Sequence, residues 1–123
     1  MKTIITLCLL MLVLGSFVAW RAMRMPNEYG DFSGAPTVAV TRLIDKPQAF
    51  LHKTVTISGT VREQCTTMGC FFFFLAGKDR LRVDLEHIAM SAPRRNGHIA
   101  RVEGQIVPFD HSYQFLASAV VFQ

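Results

Sequence analysis

From Thr3 to Trp20 the chain runs eighteen residues without a charge, most of them Ile, Leu, Val, Met or Phe. As a helix that run reaches about 27 Å, close to the ~30 Å hydrocarbon core of a bilayer. It commits the N-terminus to a membrane and leaves only the remainder of the 123 residues to build a domain. Two readings compete, a retained anchor and a cleaved signal peptide. Cleavage favours small residues at the first and third positions before the cut. A cut after Ala19 places Phe17 at that third position, and a cut after Ala22 places Trp20 there. No lipid-modification box surrounds Cys8, which reads as an inert small hydrophobe within the span. The expectation is an anchor over residues 1–24, crossing with 3–20, with Trp20 and Arg21 at the headgroups.

Lys2 and the free amine lie before the run, and Arg21 and Arg24 follow it, so the flanking charge is nearly balanced. A short basic N-terminus usually stays inside while the rest is exported. The chain is thus expected in a bacterial inner membrane, single pass, with its C-terminal domain in the periplasm. Residues 25–36 hold Pro26, Asn27, Gly30, Asp31, Ser33, Gly34 and Pro36 with no sustained period, and read as a flexible linker. Residues 37–123 remain for one small domain.

Of the 13 Lys and Arg, three flank the apolar run, and all nine acids lie beyond it, so the exported part is near +1. Nucleic-acid binders usually carry a clearly basic face. With export as well, no nucleic-acid partner is expected.

Thr54–Val61 alternates, with Val55, Ile57, Gly59 and Val61 on one side and Thr and Ser on the other, as a half-buried strand does. Its glycine suits the bend of a barrel strand. Phe71–Ala76 reads as a second strand, Gly77-Lys78-Asp79 as a hairpin turn, and Leu81–Leu85 as a third strand. Glu86–Ser91 is expected as a short helix ended by Ala92-Pro93. Ile99–Val107 follows as a fourth strand with Ala100, Val102, Gly104 and Ile106 inward, then a turn over Pro108–Ser112 and a fifth strand, Tyr113–Phe122. Before them, Thr37–Val40 is expected as a short strand, and Leu43, Ile44, Phe50 and Leu51, broken by Pro47, as one or two helical turns. The fold class is all-β: a five-stranded OB-fold-like barrel with a short helical insert, preceded by a transmembrane helix.

Cys65-Thr-Thr-Met-Gly-Cys70 places two thiols and a thioether within six residues, between the first two of these strands. Soft sulfur ligands select Cu(I), zinc or iron–sulfur clusters, and paired exported thiols also form disulfides. In the expected barrel, the loops after the first and fourth strands share one mouth, which brings Cys65, Met68 and Cys70 towards His111. These four are the expected metal ligands, for Cu(I) above all, and Gly69 would allow the tight backbone between them. A structural disulfide Cys65–Cys70, worth about 2 kcal/mol in the chain-entropy model, stays open beside that reading, as does thiol–disulfide exchange. His52, His87 and His98 read as surface residues.

One face of Phe71–Phe74 must fill the barrel. We assign Phe72 and Phe74 to the outer face as a surface for a membrane transporter or assembly complex, with Phe71 and Phe73 as the other choice. Cover by the segment around Leu43 and Phe50 competes with that docking role. No Ser/His/Asp arrangement, phosphate loop or paired carboxylates stand in a catalytic context, so no enzyme is expected.

Val55–Val61, Cys65, Gly69-Cys70-Phe71, Leu81-Arg82-Val83 and Arg101-Val102-Glu103-Gly104 together resemble a group of small exported bacterial OB-fold proteins of unknown function. That group carries a Cys-x4-Cys turn whose second Cys follows Gly and precedes an aromatic. The likeness covers roughly residues 38–122, and implies export and a soft-ligand or redox site. A weaker likeness is to the OB-fold haem chaperone of cytochrome c maturation, which is also N-terminally anchored. That family attaches haem through a His followed four residues later by Tyr. Here His111 and Tyr113 are two apart, and the departure counts against haem ligation.

Overall fold

A computed structural model describes residues 1–23, 26–68, 70–89 and 91–123. Helix α1, Lys2–Met23, is 22 residues long, about 33 Å. It is long and apolar enough to cross a membrane, and Thr3–Trp20 is exposed along its whole length.

The described residues of the remainder form six strands: β1 (Glu28–Gly30), β2 (Thr54–Thr60), β3 (Phe71–Ala76), β4 (Asp79–Asp84), β5 (Ile99–Phe109) and β6 (Ser112–Phe122). They make one mixed sheet in the order β2-β5-β6-β4-β3, with β1 added on β6. All pairings are antiparallel except β4 with β6, which is parallel at Val83↔Phe115 and Asp84↔Leu116. The expected closed barrel is not a continuous ladder. Strands β2 and β3 end the path, and a single bridge beyond β2, Arg62↔Phe73, joins them.

Residues lining the interior repeat every second position, as a one-sided sheet requires. Val55 and Ile57 of β2, Leu81 and Val83 of β4, Ala100, Val102 and Ile106 of β5, and Phe115, Ala117, Val120 and Phe122 of β6 are all buried. The inward set of β5 matches expectation, Gly104 included. Between Glu103 and Gly104 the β5–β6 register slips by one. At that bulge, a Cβ on Gly104 would stand 2.2 Å from the Leu116 carbonyl oxygen, closer than any side chain allows.

The β3–β4 hairpin turns on two residues, Gly77 and Lys78, with Ala76 paired to Asp79. Gly77 has φ 62°, the conformation a two-residue turn with glycine first needs. That register pairs Phe72 with Val83 and Phe74 with Leu81. Phe72 (0 % exposed) and Phe74 (1 %) are therefore core residues and cannot form the docking surface expected of them. Phe71 and Phe73 occupy the outer face instead. Counting through a three-residue turn shifts the pairing by one, and a one-residue slip exchanges the two faces of a strand.

Four further expectations are corrected. Glu86–Ser91 forms no helix among its described residues. A single turn stands there, with the Ile88 and Ala89 N–H groups both reaching the Leu85 oxygen at 2.9 and 2.8 Å. A segment this short, stopped by Pro93, does not repay helix nucleation. Thr37–Val40 is no strand: Thr37 makes one bridge to Thr56, and Val40 opens helix α2, Val40–Asp45. Pro47 then starts a 3-10 turn, Pro47–Phe50, where its missing N–H leaves nothing unpaired. Leu43 of α2 is fully buried and plugs one end of the sheet. Pro108 lies within β5, paired to Tyr113, so the turn shrinks to Asp110 and His111. Within the segment read as a linker, β1 pairs with β6, and Ser33 and Ala35 donate hydrogen bonds to Glu103.

Candidate functional site

Beyond β2 the chain keeps pairing with β3 for one more step, Arg62 and Phe73 exchanging N–H···O bonds of 3.0 and 2.8 Å. Three residues on, the Cys65 N–H meets the Phe71 oxygen at 3.0 Å, one residue out of the register set by that bridge. Glu63, at φ 49°, lies between these two contacts. This places Cys65 and Cys70 across from each other at the neck of a short loop. Gly69, expected to relieve that loop, lies outside the described residues.

The two thiols are half-buried and face each other without a disulfide between them. Burial pushes the Cys70 thiol above its ordinary pKa, and the adjacent Cys65 and the Asp84 carboxylate push it further. Cys65 Sγ also lies 3.1 Å from Thr67 Oγ1. Cys70 opens on a hollow of about 410 Å³ shared with Met68, Glu86 and His87. Met68 is 53 % exposed. Among the described residues, no three His, Cys, Asp or Glu side chains gather as a metal site. The hollow brings Cys70 and Met68 to one surface, with Cys65 across the loop's neck from Cys70.

His111 is not part of this group. Strand β2 runs antiparallel to β5 with Thr60 opposite Ile99, so the Cys turn lies beside the start of β5. The turn carrying His111 lies at the far end of that eleven-residue strand from Thr60, and His111 borders a different hollow from the one on which Cys70 opens. Antiparallel pairing of the first and fourth long strands puts these two loops at opposite ends, the reverse of the expectation. The His111 side chain is fully exposed, 3.8 Å from Asp110. It borders an open hollow of about 500 Å³ over Phe71, Phe73, Arg80, Arg82 and Phe109. His87 is exposed, as expected of a surface residue, and lines the hollow on which Cys70 opens.

Sequence reasoning also missed Gln64, the residue that holds the Cys turn in place. It is 4 % exposed. Its Nε2 donates to the Pro93 oxygen at 2.9 Å, and its Oε1 accepts the Arg95 N–H at 2.7 Å. Its own N–H donates to Asn96 Oδ1 at 3.0 Å. The Ala92 N–H to the Met68 oxygen (2.9 Å) and the Arg94 guanidinium to the Thr66 oxygen complete a belt from loop 92–96 around the turn. A glutamine beside a cysteine carries no sequence signal of burial; only the facing loop shows it.

The outer face of β3 and β4 is a second built surface. The Arg82 guanidinium lies between two rings, 4.3 Å from the centroid of Phe71 and 4.7 Å from that of Phe109. Arg80 lies 4.5 Å above Phe73. Gln114 Oε1 (2.5 Å) and Asp84 Oδ2 (3.2 Å) accept from Arg82, and Glu63 accepts from Arg80 at 2.5 Å. The guanidiniums thus cover the exposed rings, a stacking that also holds the charges in place.

Over three quarters of the chain, this architecture recurs in solved structures. The hypothetical protein YgiW from E. coli superposes with a TM-score of 0.54 at 14 % identity, covering 76 % of this chain and 99 % of that one. The domain is OB-fold-like. A putative aspartyl-tRNA synthetase from Leishmania major Friedlin matches with a TM-score of 0.52 at 18 % identity, over 75 % of this chain and 21 % of the synthetase. At these identities the likeness speaks for the fold alone. No protein-family model matches the chain, and no curated protein matches it.

Proposed function

We propose that the chain is a membrane-anchored periplasmic binding protein of a bacterial inner membrane, non-catalytic, that handles Cu(I) through Cys65 and Cys70. The observation that carries this reading is Cys65 facing Cys70 across the loop's neck, with Cys70 lining a hollow that Met68 also lines. Two thiolates, with a thioether in reach, form a soft, low-coordinate donor set of the kind Cu(I) favours. His87 takes the place first given to His111 as the nearby nitrogen donor. Half-burial lets a metal enter and leave, as transfer to a membrane transporter or assembly complex requires. Titration of the reduced full-length protein with Cu(I), against a competing chelator, tests this. We expect tight uptake of copper that disappears in the Cys65→Ser/Cys70→Ser variant. Absent or unchanged uptake overturns it.

A second reading is favoured by the same facing thiols. Cys65 and Cys70, across from each other at the loop's neck, close into a disulfide and pin the loop of an interaction module. The partner surface is then the Phe71–Phe73 face with its stacked arginines, and not Phe72 and Phe74. Mass spectrometry of protein taken from its native compartment decides between the two, since free thiols there count against the disulfide.

A further inference from the structure

Four residues, 24–27, separate Met23 at the end of α1 from Glu28 at the start of β1. Even fully extended, the chain from Met23 to Glu28 covers at most about 18 Å. Asn27 is fixed at one end of the domain: its oxygen accepts the Phe122 N–H at 2.8 Å, and its Oδ1 accepts from Arg95 Nε (3.1 Å) and Nη2 (2.9 Å). The Asp110–His111 turn lies at the other end, ten residues back along β6, roughly 33 Å away. A tether this short keeps the Asn27 end within about 18 Å of the end of α1, so that end is the nearer one to a bilayer that α1 spans.

The Asn27 end has the chemistry of a surface that meets anionic lipid. Arg62 and Arg94 are exposed there, and Arg95 is half-buried. Of the nearby acids, Glu63 is paired with Arg80, and Glu28 remains. Ile99 (52 % exposed) and Met68 (53 %) add apolar side chains among the charges. The sequence places Arg21 and Arg24 just before the domain. Basic residues interleaved with exposed apolar ones bind anionic headgroups by charge and shallow burial together.

We propose that this end of the domain rests on the anionic headgroup layer of the bilayer that α1 spans, so that the Cys65–Cys70 turn opens at the membrane surface. The turn is carried there by its belt: Gln64, Thr66 and Met68 are hydrogen-bonded to loop 92–96, whose Arg95 binds Asn27. The inference rests on α1 being a retained anchor and is independent of what the thiols bind.

The test uses the full chain in nanodiscs of phosphatidylcholine alone and of phosphatidylcholine with phosphatidylglycerol, each doped with a headgroup-spin-labelled lipid. Amide signals of residues 64–68 and 92–98 are expected to broaden, and those of 77–79 and 110–112 to stay sharp. The contrast should be stronger with phosphatidylglycerol and should weaken in high salt, because screening shortens the reach of the arginines. Arg94→Gln/Arg95→Gln should lessen it in the anionic discs. Co-elution with the discs but equal broadening at both ends, or broadening strongest at 110–112, overturns the inference while the anchor stands. Failure of the intact chain to co-elute overturns both.

Discussion

Ser33 holds the buried carboxylate of Glu103. The Ser33 N–H lies 3.0 Å from both carboxylate oxygens, and its hydroxyl donates to Oε1 at 2.5 Å. Glu103 is 2 % exposed, at the β5 bulge, and the Ala35 N–H adds a bond of 3.3 Å. Seventy residues of chain separate the two partners, so this contact clamps the segment after β1 onto the sheet.

Burial alone would raise the Glu103 pKa, but the bonds from Ser33, Ala35 and Gly34 outweigh it and hold the carboxyl below its ordinary range. A carboxylate depressed in the fold stabilises it above the unfolded pKa, and that contribution is lost as pH falls through the folded value. Urea unfolding should therefore show stability declining as the pH drops below the ordinary carboxylate range. Glu103→Gln should cost about 2 kcal/mol at neutral pH, the worth of hydrogen bonds to a charged group, and should flatten that decline.

The Cys70 thiol should resist alkylation. Burial is the largest cause of its raised pKa, followed by Cys65 and, more weakly, Asp84. The pH midpoint of its reaction with iodoacetamide should lie above that of the urea-unfolded chain. Cys65→Ala should lower the midpoint only part of the way, because burial remains. Metal binding must displace the proton, so the apparent Cu(I) affinity should fall as the pH is lowered. A midpoint at or below the unfolded one would contradict this description of the pair.

Gly104 and Gly59 should differ in their tolerance of alanine. The Cβ added at Gly104 meets backbone at 2.2 Å, whereas at Gly59 it meets the ring of Phe74 at 2.8 Å. A ring can tilt; a paired carbonyl cannot. Gly59→Ala should cost about 1–2 kcal/mol and Gly104→Ala about 3 kcal/mol, by chemical denaturation, as overpacking against side chain and backbone respectively.

Within the four phenylalanines, stability should follow the parity of the position. Phe72→Ala or Phe74→Ala should cost about 3–5 kcal/mol, as large core truncations do. Phe73→Ala should cost about 1 kcal/mol, chiefly the stacking under Arg80. Equal losses at neighbouring positions would mean that the β3–β4 register is wrong.

The phenylalanine run also shows how much could be read in advance. The strand itself is legible, because four aromatics followed by a glycine turn have no stable alternative in so short a span. Its facing is not, since alternation carries information only where the two faces differ in polarity. The contrast lies on the partner strand, where Arg80 and Arg82 alternate with Leu81 and Val83, and it transfers only once the turn length is known. The Cys pair was legible from its spacing as two thiols facing each other at a turn. His87 follows Cys70 by seventeen residues and Gln64 binds a loop twenty-nine residues on, neighbourhoods that leave no trace in local pattern.

What the sequence determined by itself was local: the apolar run of α1, the long strands β2, β5 and β6, the inward set of β5, and two thiols at a turn. These depend on periodicity within ten or so residues, and hydrophobic burial enforces that periodicity wherever the strand lies. The tertiary structure decided which ends and faces meet. It put His111 at the far end of β5 from Cys65, sent Phe72 and Phe74 into the core, and drew the supposed linker onto the sheet through β1 and Glu103. Those outcomes follow from antiparallel register and from one buried carboxylate's need for donors, and both are satisfied only when distant parts of the chain come together.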